Sequence, residues 1–373
     1  MATAASPFEH GCPFFQYFVN GLIFLLAVAF ADVLPGRWLP YPNIPEAGEK
    51  IHYLAIHGNE VDTIFIGSSR INFQVVPSLF DEELAAHASA SKSFNAGIIG
   101  MRPPEQGFFL DQILRQPHGR LRWVLIELTS LEAYTPESRR GSARYVFWHD
   151  GPRMMLLGTW MVAEWTALRG ETTSAGAGQR RWTDFLEPVS VYLTHVPPFF
   201  EKELNLGGAT VLSEKLLLSA SELAKQRDRW PGLGEHRDGW MPYSVRETMN
   251  EDERAEYQKS YEARLQAAPV EFHDPASDAA IQAIFDAVTR AGATPIFIVP
   301  PTTSATQYYP PPGQTRNMII WSFSDPHRYP ALFAAGNRVD SLHLNTAGAK
   351  QFTLALAERF LELPAKSLPP SDP

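Results

Sequence analysis

Three residues of this chain have the types and spacing that nucleophilic catalysis requires. Ser69 ends the segment VDTIFIGSS, where an apolar run stops in small turn residues. Asp340 and His343 stand three residues apart, shortly before a C-terminal helical pattern. A serine nucleophile needs a base, and the base needs a group that orients it. The spacing therefore predicts that Asp340 orients His343 and that His343 activates Ser69.

Each of these motifs also has a structural explanation when it is considered alone. A Ser-Ser pair after a strand serves as a helix cap or a turn, and Asp-x-x-His fits a capped surface loop. The catalytic interpretation depends on the two motifs together, because the pattern of elements places both at the carboxyl ends of strands.

The elements that must position these residues are four short apolar runs, which predict buried parallel strands. Helical patterns separate them, among them the amphipathic segment 103–116, which starts with proline. This alternation predicts an α/β fold with a parallel sheet covered on both faces, and ligands bind such sheets beyond the carboxyl ends of the strands. The predicted strands are VDTIFIGSS (61–69), SFNAGI (93–98), RWVLIELTS (122–130) and TPIFIVPP (294–301).

The pattern changes in the middle of the chain to long helical and irregular stretches rich in Trp, Arg and Pro, which predicts a mostly helical insertion. Two aromatic stretches in it, YVFWHD and HRDGWMPY, suit core and lid packing, with a carbohydrate groove as the alternative. The expected organisation is a tail (1–13), a transmembrane anchor (14–34), a Pro-rich stalk (35–60), an α/β domain (61–132 and 275–365), the insertion (133–274) and a disordered tail (366–373).

The segment from Phe14 to Leu34 is apolar over about 21 residues, enough to cross a bilayer core of roughly 30 Å as a helix. A buried core helix is the structural alternative. The small residues of Ala29-Phe30-Ala31 also fit a cleaved signal peptide, but the segment before the apolar run has no Lys or Arg and carries Glu9. We favour a retained single-pass anchor, and the flanking charges leave its orientation open.

The charge and the cysteine content exclude several other classes. The net charge of -9 and the pI of about 5.7 show no basic footprint for nucleic acid. The single cysteine, Cys12, rules out an intramolecular disulfide and a cysteine-based metal site. The histidines outside the Asp-x-x-His motif are scattered along the sequence, so we expect structural or surface roles for them rather than a metal site.

The combined motifs resemble the SGNH/GDSL hydrolase family. Its first block, strand-Gly-Asp-Ser, looks like FIGSSR here, with Ser69 at the nucleophile and Ser68 at the Asp position. Its second block looks like FNAGIIG, which maps the oxyanion-donating glycine onto Gly100. Its last block is similar to DSLHLNTAG and supplies Asp340 and His343. The resemblance implies a three-layer flavodoxin-like sheet, a Ser-His-Asp triad and an oxyanion hole formed by Ser69 and Gly100, without metal or cofactor.

The chain departs from the family in its third block, where the strand runs into LTSLE and the expected oxyanion-hole Asn is missing. Loss of one oxyanion donor costs about 10²–10³ in rate. Asn95, Thr129 and Ser130 are the candidate substitutes. We also predict Arg70, Asn95 and Thr129 as candidate substrate contacts.

A Gly-Ser-Ser block without the third-block Asn is similar to membrane-anchored envelope members of the family that assist O-acylation of cell-wall or exopolysaccharide polymers. The resemblance implies a serine esterase or O-acyltransferase at the inner membrane, with its soluble domain extracytoplasmic or periplasmic and an acylated carbohydrate or cell-wall polymer as substrate. The alternative is a non-catalytic structural subunit of a membrane protein complex that uses the insertion for interactions. A cytoplasmic phosphate- or nucleotide-binding domain is a third hypothesis, which the anchor and the lack of a Gly-rich loop oppose.

Overall fold

The computed structural model describes residues 46–134, 142–171, 182–203, 231–243 and 245–363, together with residues 17, 19–24, 26–27 and 44. A five-stranded parallel sheet forms its centre, with strand order β2-β1-β3-β5-β7. Strands β4 and β6 form a second, two-stranded parallel sheet. The strands are β1 (Thr63–Ile66), β2 (Ser93–Asn95), β3 (Trp123–Glu127), β4 (Val270–Phe272), β5 (Thr294–Val299), β6 (Thr306–Tyr308) and β7 (Ile319–Ser322).

Helices cover both faces of the central sheet. Successive side chains of a strand point to opposite faces of the sheet. In β1, Ile64 therefore packs in one apolar core and Phe65 in another. One core includes α1, α4 and α10, and the other includes α3 and α13. Among the residues described from 46 onward, the α-helices are α1 (Ala47–His57), α2 (Ser69–Asn72), α3 (Pro77–Ala86), α4 (Glu105–Leu114), α5 (Ala143–Phe147), α6 (Gly151–Glu171), α7 (Trp182–Thr194), α8 (Val196–Glu203), α9 (Glu251–Gln266), α10 (Pro275–Arg290), α11 (Pro312–Thr315), α12 (Pro330–Phe333) and α13 (Thr346–Leu361). The expected three-layer α/β architecture is confirmed at this level.

The structure differs from the sequence-based boundaries in two places. The strands β4, β6 and β7 are not among those predicted, and β4 lies inside the segment 133–274 that was expected to be mostly helical. Residues 46–60, predicted as part of a stalk, instead form α1 and a short 3₁₀ turn, and Ile51 and Leu54 of α1 are buried in the main core. Helix α1 is therefore part of the α/β domain.

The insertion is attached to the domain through a smaller apolar core of its own. Tyr145, Trp148 and Leu157 of the insertion pack there with Phe108 of α4 and Ala280 of α10. The insertion therefore rests on the same helical layer that covers one face of the sheet.

The predicted anchor, 14–34, lies mostly outside the described residues, as do the N-terminal tail and most of the C-terminal tail. Residues 19–24 are helical. In the part of the chain that the structure describes, no helix combines the length and apolarity needed to cross a bilayer.

Candidate active site

The candidate site lies where the strand order reverses, beyond the carboxyl ends of β1 and β3. The chain passes from β1 to β2 on one side, and β3, β5 and β7 follow on the other. Such a switch point is where open α/β sheets bind ligands. Ser69 begins helix α2 three residues after β1, and Ser68 caps that helix by accepting the N–H of Arg70 at 3.2 Å.

Ser69, His343 and Asp340 form one hydrogen-bonded line. The Oγ of Ser69 lies 2.8 Å from Nε2 of His343. The other ring nitrogen, Nδ1, lies 2.8 and 3.0 Å from the two carboxylate oxygens of Asp340. A carboxylate cannot donate when ionised, so Nδ1 carries the proton and Nε2 is free to accept the serine proton. The three residues that the sequence predicts as a triad are therefore brought together with the geometry of a nucleophile, a base and an orienter.

Asp340 also shapes the loop that carries the histidine. Its Oδ1 accepts the backbone N–H groups of Leu342 and His343, both at 2.7 Å. Burial alone would raise the pKa of Asp340, but the hydrogen bond from His343, the electrostatic attraction of its ring and these two N–H groups together bring the pKa below its ordinary value. The carboxylate thus stays ionised and can hold the imidazole.

A buried arginine and a buried glutamine hold the loop that carries Asp340 and His343. Arg338 is fully buried, donates to the carbonyls of Leu332 and Ser341 at 3.0 and 3.1 Å, and packs against two aromatic rings, those of Tyr257 and Phe333. Gln74 donates to the carbonyl of Leu342 at 3.2 Å. His343 is thereby held in register with the turn that follows Ser69.

The backbone around Ser69 leaves one N–H group for a developing oxyanion. The N–H of Ser68 donates to Glu127, and that of Arg70 donates to Ser68. Among the described residues, the N–H of Ser69 has no acceptor, as expected at the first position of a helix. Gly100 lies in the loop after β2 with a φ of 69°, two residues beyond Ile98, whose N–H donates to Gly67. Its role as the second donor stays a prediction.

Asn95 has a different position from the one predicted. It is fully buried, its amide donates to the carbonyls of Ile71 and Val75 at 2.8 and 2.7 Å, and its Oδ1 accepts the N–H of Gly97. The prediction of Asn95 as a substrate contact or oxyanion donor is wrong, because these bonds use its amide to hold the turn after Ser69. Thr129 is buried, and its hydroxyl accepts from Arg102 at 3.5 Å. Its contact with a substrate stays a prediction.

Arg70 does not project freely toward solvent. Its Nε and Nη2 bind Oε1 of Glu127 at 2.8 and 2.6 Å. Glu127 ends β3 and is the site residue that sequence reasoning missed. The signal was present in RWVLIELTS, where one carboxylate interrupts an otherwise apolar strand at its carboxyl end.

The insertion contributes one wall of the site. The ring of Tyr243 lies 5.6 Å from that of His343 and 5.1 Å from that of Phe73, centre to centre. Trp240 donates its indole N–H to the carbonyl of Phe73 at 3.0 Å. The stretch HRDGWMPY therefore packs against the catalytic candidates, in agreement with the lid interpretation of its aromatic residues.

A buried lysine connects three parts of the chain next to the site. Lys50 of α1 is fully buried and donates to Oδ1 of Asn72 at 2.8 Å, to the carbonyl of Gly97 at 2.6 Å and to that of Gly239 at 2.9 Å. Burial lowers its pKa to about 7, against the opposing charges of nearby Glu46, Asp238 and Glu49. Lys50 thus joins α1, the Ser69 turn and the insertion.

Two histidines of the insertion meet although they are far apart in sequence. Nε2 of His149 lies 2.8 Å from Nδ1 of His195, and both residues are fully buried. Their remaining nitrogens face the carbonyls of Tyr145 and Ala133 at 2.6 and 2.8 Å. All four nitrogens therefore have neighbours within the protein, and the pair belongs to the packing of the insertion.

A scan against models of known protein families gives no match to this chain, and a search of curated proteins finds no significant relative.

Proposed function

We propose that this chain is a serine esterase or O-acyltransferase of the SGNH type in which Ser69 is the nucleophile, His343 the general base and Asp340 its orienter. The observation that carries the proposal is the 2.8 Å contact between Ser69 Oγ and His343 Nε2. On the other side of the ring, Nδ1 of His343 lies 2.8 Å from Oδ2 of Asp340. The location at the switch point of the sheet supports it independently.

The proposed reaction has two acyl-transfer steps. His343 Nε2 takes the Ser69 hydroxyl proton while Oγ attacks the ester carbonyl, and the N–H groups of Ser69 and Gly100 stabilise the oxyanion. Collapse of this intermediate breaks the bond to the leaving alcohol, which receives the proton from His343. Water or a carbohydrate hydroxyl then attacks the acyl-serine by the reverse sequence, with His343 again as base. The residues proposed for this chemistry require neither a metal nor a cofactor.

The proposed setting is the outer side of an inner membrane, with the apolar segment 14–34 as tether and an acylated carbohydrate or cell-wall polymer as substrate. Two features support it: the length of the apolar segment, and the aromatic wall at the site, since aromatic side chains combine a large contact surface with polar edges.

Covalent labelling tests the proposed nucleophile. The full-length chain, purified in a mild detergent, should react with a fluorophosphonate probe, because Ser69 Oγ displaces fluoride while His343 accepts the proton. Peptide mapping should place the phosphonate on Ser69, and the Ser69→Ala variant should remain unlabelled. The proposal that Ser69 is a nucleophile would be refuted if the wild-type protein stays unlabelled while a known serine esterase reacts in the same assay.

Tyr243→Ala should weaken binding of large substrates more than of small ones. The ring forms a wall beside His343, so its removal should raise KM for a bulky carbohydrate ester by about three- to tenfold and change the hydrolysis of a small acetyl ester little, as expected for a lost contact of about 1 kcal/mol. Tyr261→Ala is the matched control, because Tyr261 also packs against aromatic rings, those of Tyr257 and Phe333. Equal effects on both substrates would contradict a wall role for Tyr243.

A non-catalytic scaffold in a membrane complex is the second candidate. The insertion exposes several large apolar side chains, which favours a partner surface there. They are Met155 (75% exposed), Val162 (55%), Leu186 (61%), Leu193 (57%) and Phe200 (54%). The labelling experiment separates the two candidates, since a scaffold needs no reactive serine.

A further inference from the structure

Glu127 is a buried carboxylate whose hydrogen bonds all reach the first block of the site. It is 1% exposed, and it accepts the N–H of Ser68 at 2.5 Å and the hydroxyl of Ser68 at 3.1 Å. It also accepts Nε and Nη2 of Arg70 at 2.8 and 2.6 Å. The two residues that flank Ser69 in sequence are therefore both held by one carboxylate from the neighbouring strand.

The surrounding backbone is built to admit this carboxylate. A Cβ atom at Gly67 would lie 2.6 Å from Oε2 and 2.5 Å from Cβ of Glu127, so only glycine allows the side chain to reach the turn. A buried carboxylate also needs a compensating charge, which Arg70 supplies. Gly67, Ser68, Arg70 and Glu127 thus form one unit, and the turn cannot move without breaking hydrogen bonds to a buried charge.

This unit determines which backbone donor remains at the nucleophile. The N–H groups before and after Ser69 are occupied, by Glu127 and by the Ser68 hydroxyl that Glu127 itself holds. The N–H of Ser69 is left for the oxyanion. The position of that donor relative to Oγ therefore depends on the carboxylate.

We propose that Glu127 is a positioning residue for the reaction of Ser69, acting through Ser68 and Arg70. This inference rests on the proposed function. It adds Glu127, a residue outside the triad, as one that controls the rate at which Ser69 reacts. It also explains why a serine can stand at position 68. The family that this chain resembles has an aspartate there, and in this chain Glu127, at the end of β3, supplies a carboxylate to the same turn.

The test compares Glu127→Gln with Asp62→Asn in the full-length protein. Asp62 is 4% exposed and binds Arg122 and the hydroxyls of Thr63 and Ser91, so it is a similar buried carboxylate, but it lies at the opposite end of β1 and β3. The readouts are the rate constant and the final amplitude of fluorophosphonate labelling at Ser69. A fold defect lowers the amplitude, whereas a misplaced nucleophile lowers the rate constant at full amplitude.

Glu127→Gln should lower the rate constant about 10- to 100-fold at an amplitude close to wild type, since a displacement of about 1 Å can cost about 10²-fold in rate. Asp62→Asn should keep the rate constant within about twofold. Ser68→Ala removes the hydroxyl that donates to Glu127 and accepts the N–H of Arg70, without burying a new charge. It should slow labelling in the same direction even if Glu127→Gln fails to fold. Wild-type rate constants in Ser68→Ala and in any folded Glu127→Gln would overturn this inference and leave the proposed function standing. An unreactive wild type would overturn both.

Discussion

Replacing Asp340 with asparagine should lower the rate of ester hydrolysis by about 10³–10⁴-fold while preserving the fold. The asparagine oxygen can still accept the N–H groups of Leu342 and His343 that Asp340 accepts at 2.7 Å, so the loop should keep its shape. The asparagine NH₂ group, however, donates to Nδ1 of His343. The ring then carries its proton on Nε2, facing Ser69, and can no longer act as the base.

The measurement is kcat/KM for a small activated ester, together with the labelling rate of Ser69. Asp325→Asn is a matched control, because Asp325 is an exposed aspartate that accepts the backbone N–H of His327 in another loop. We expect wild-type rates for the control. If Asp340→Asn keeps wild-type kcat/KM and labelling, Asp340 does not orient a catalytic histidine, and the close contact in the structure has only a structural role.

The sequence predicts the parts of this site whose signals are local. A continuous apolar run identifies β1, and Asp-x-x-His before a helix identifies the second half of the triad. Strand β7 is as short as β1, with four residues, but it is not among the strands predicted from the sequence. Its place at the edge of the sheet is set by pairing with β5, which no local pattern encodes.

Interactions across long sequence separations explain why the contacts of Glu127 and Asn95 could not be predicted from the sequence. Glu127 and the turn that it holds are separated by 57 to 59 residues, so its partners cannot be read from RWVLIELTS. Asn95 is among the candidate oxyanion donors and substrate contacts that the sequence offers, yet its amide binds the carbonyls of Ile71 and Val75, in helix α2 and just after it. In both cases the deciding factor is that a buried polar group must be satisfied.

Lys50 is a third buried polar residue whose partners are distant in sequence, and the pattern of its helix indicates only that it lies on a buried face. It lies on α1 among the buried Ala47, Ile51 and Leu54, which recur at helical spacing. A lysine on such a face is either at the surface edge or buried with several acceptors. The three oxygens that it binds come from residues 72, 97 and 239, so only the tertiary structure distinguishes these alternatives.

Replacing Lys50 with methionine should lower the free energy of unfolding by about 3 kcal/mol or more. Methionine fills a similar volume, but Asn72 Oδ1 and the carbonyls of Gly97 and Gly239 lose their donor in a site without solvent access. Each unsatisfied buried acceptor costs about 1–3 kcal/mol. Lys92→Met is the matched control: Lys92 is a surface lysine paired with Glu60, and its loss should change stability by less than about 1 kcal/mol.

The pH dependence of stability provides a sharper test of the same residue. The pKa of Lys50 is about 7 in the folded protein, against an ordinary value of 10.5 for lysine, so the unfolded chain binds more protons at this position between these pH values. The free energy of unfolding should therefore rise with pH in this window, with a slope of up to about 1.4 kcal/mol per pH unit from this group alone. Denaturant unfolding of wild type and Lys50→Met at pH 7, 8 and 9 isolates the contribution, because other titrating groups cancel in the difference. A stability difference between the two proteins that stays constant over this range would show that Lys50 remains protonated and that its three acceptors, rather than burial, control its charge.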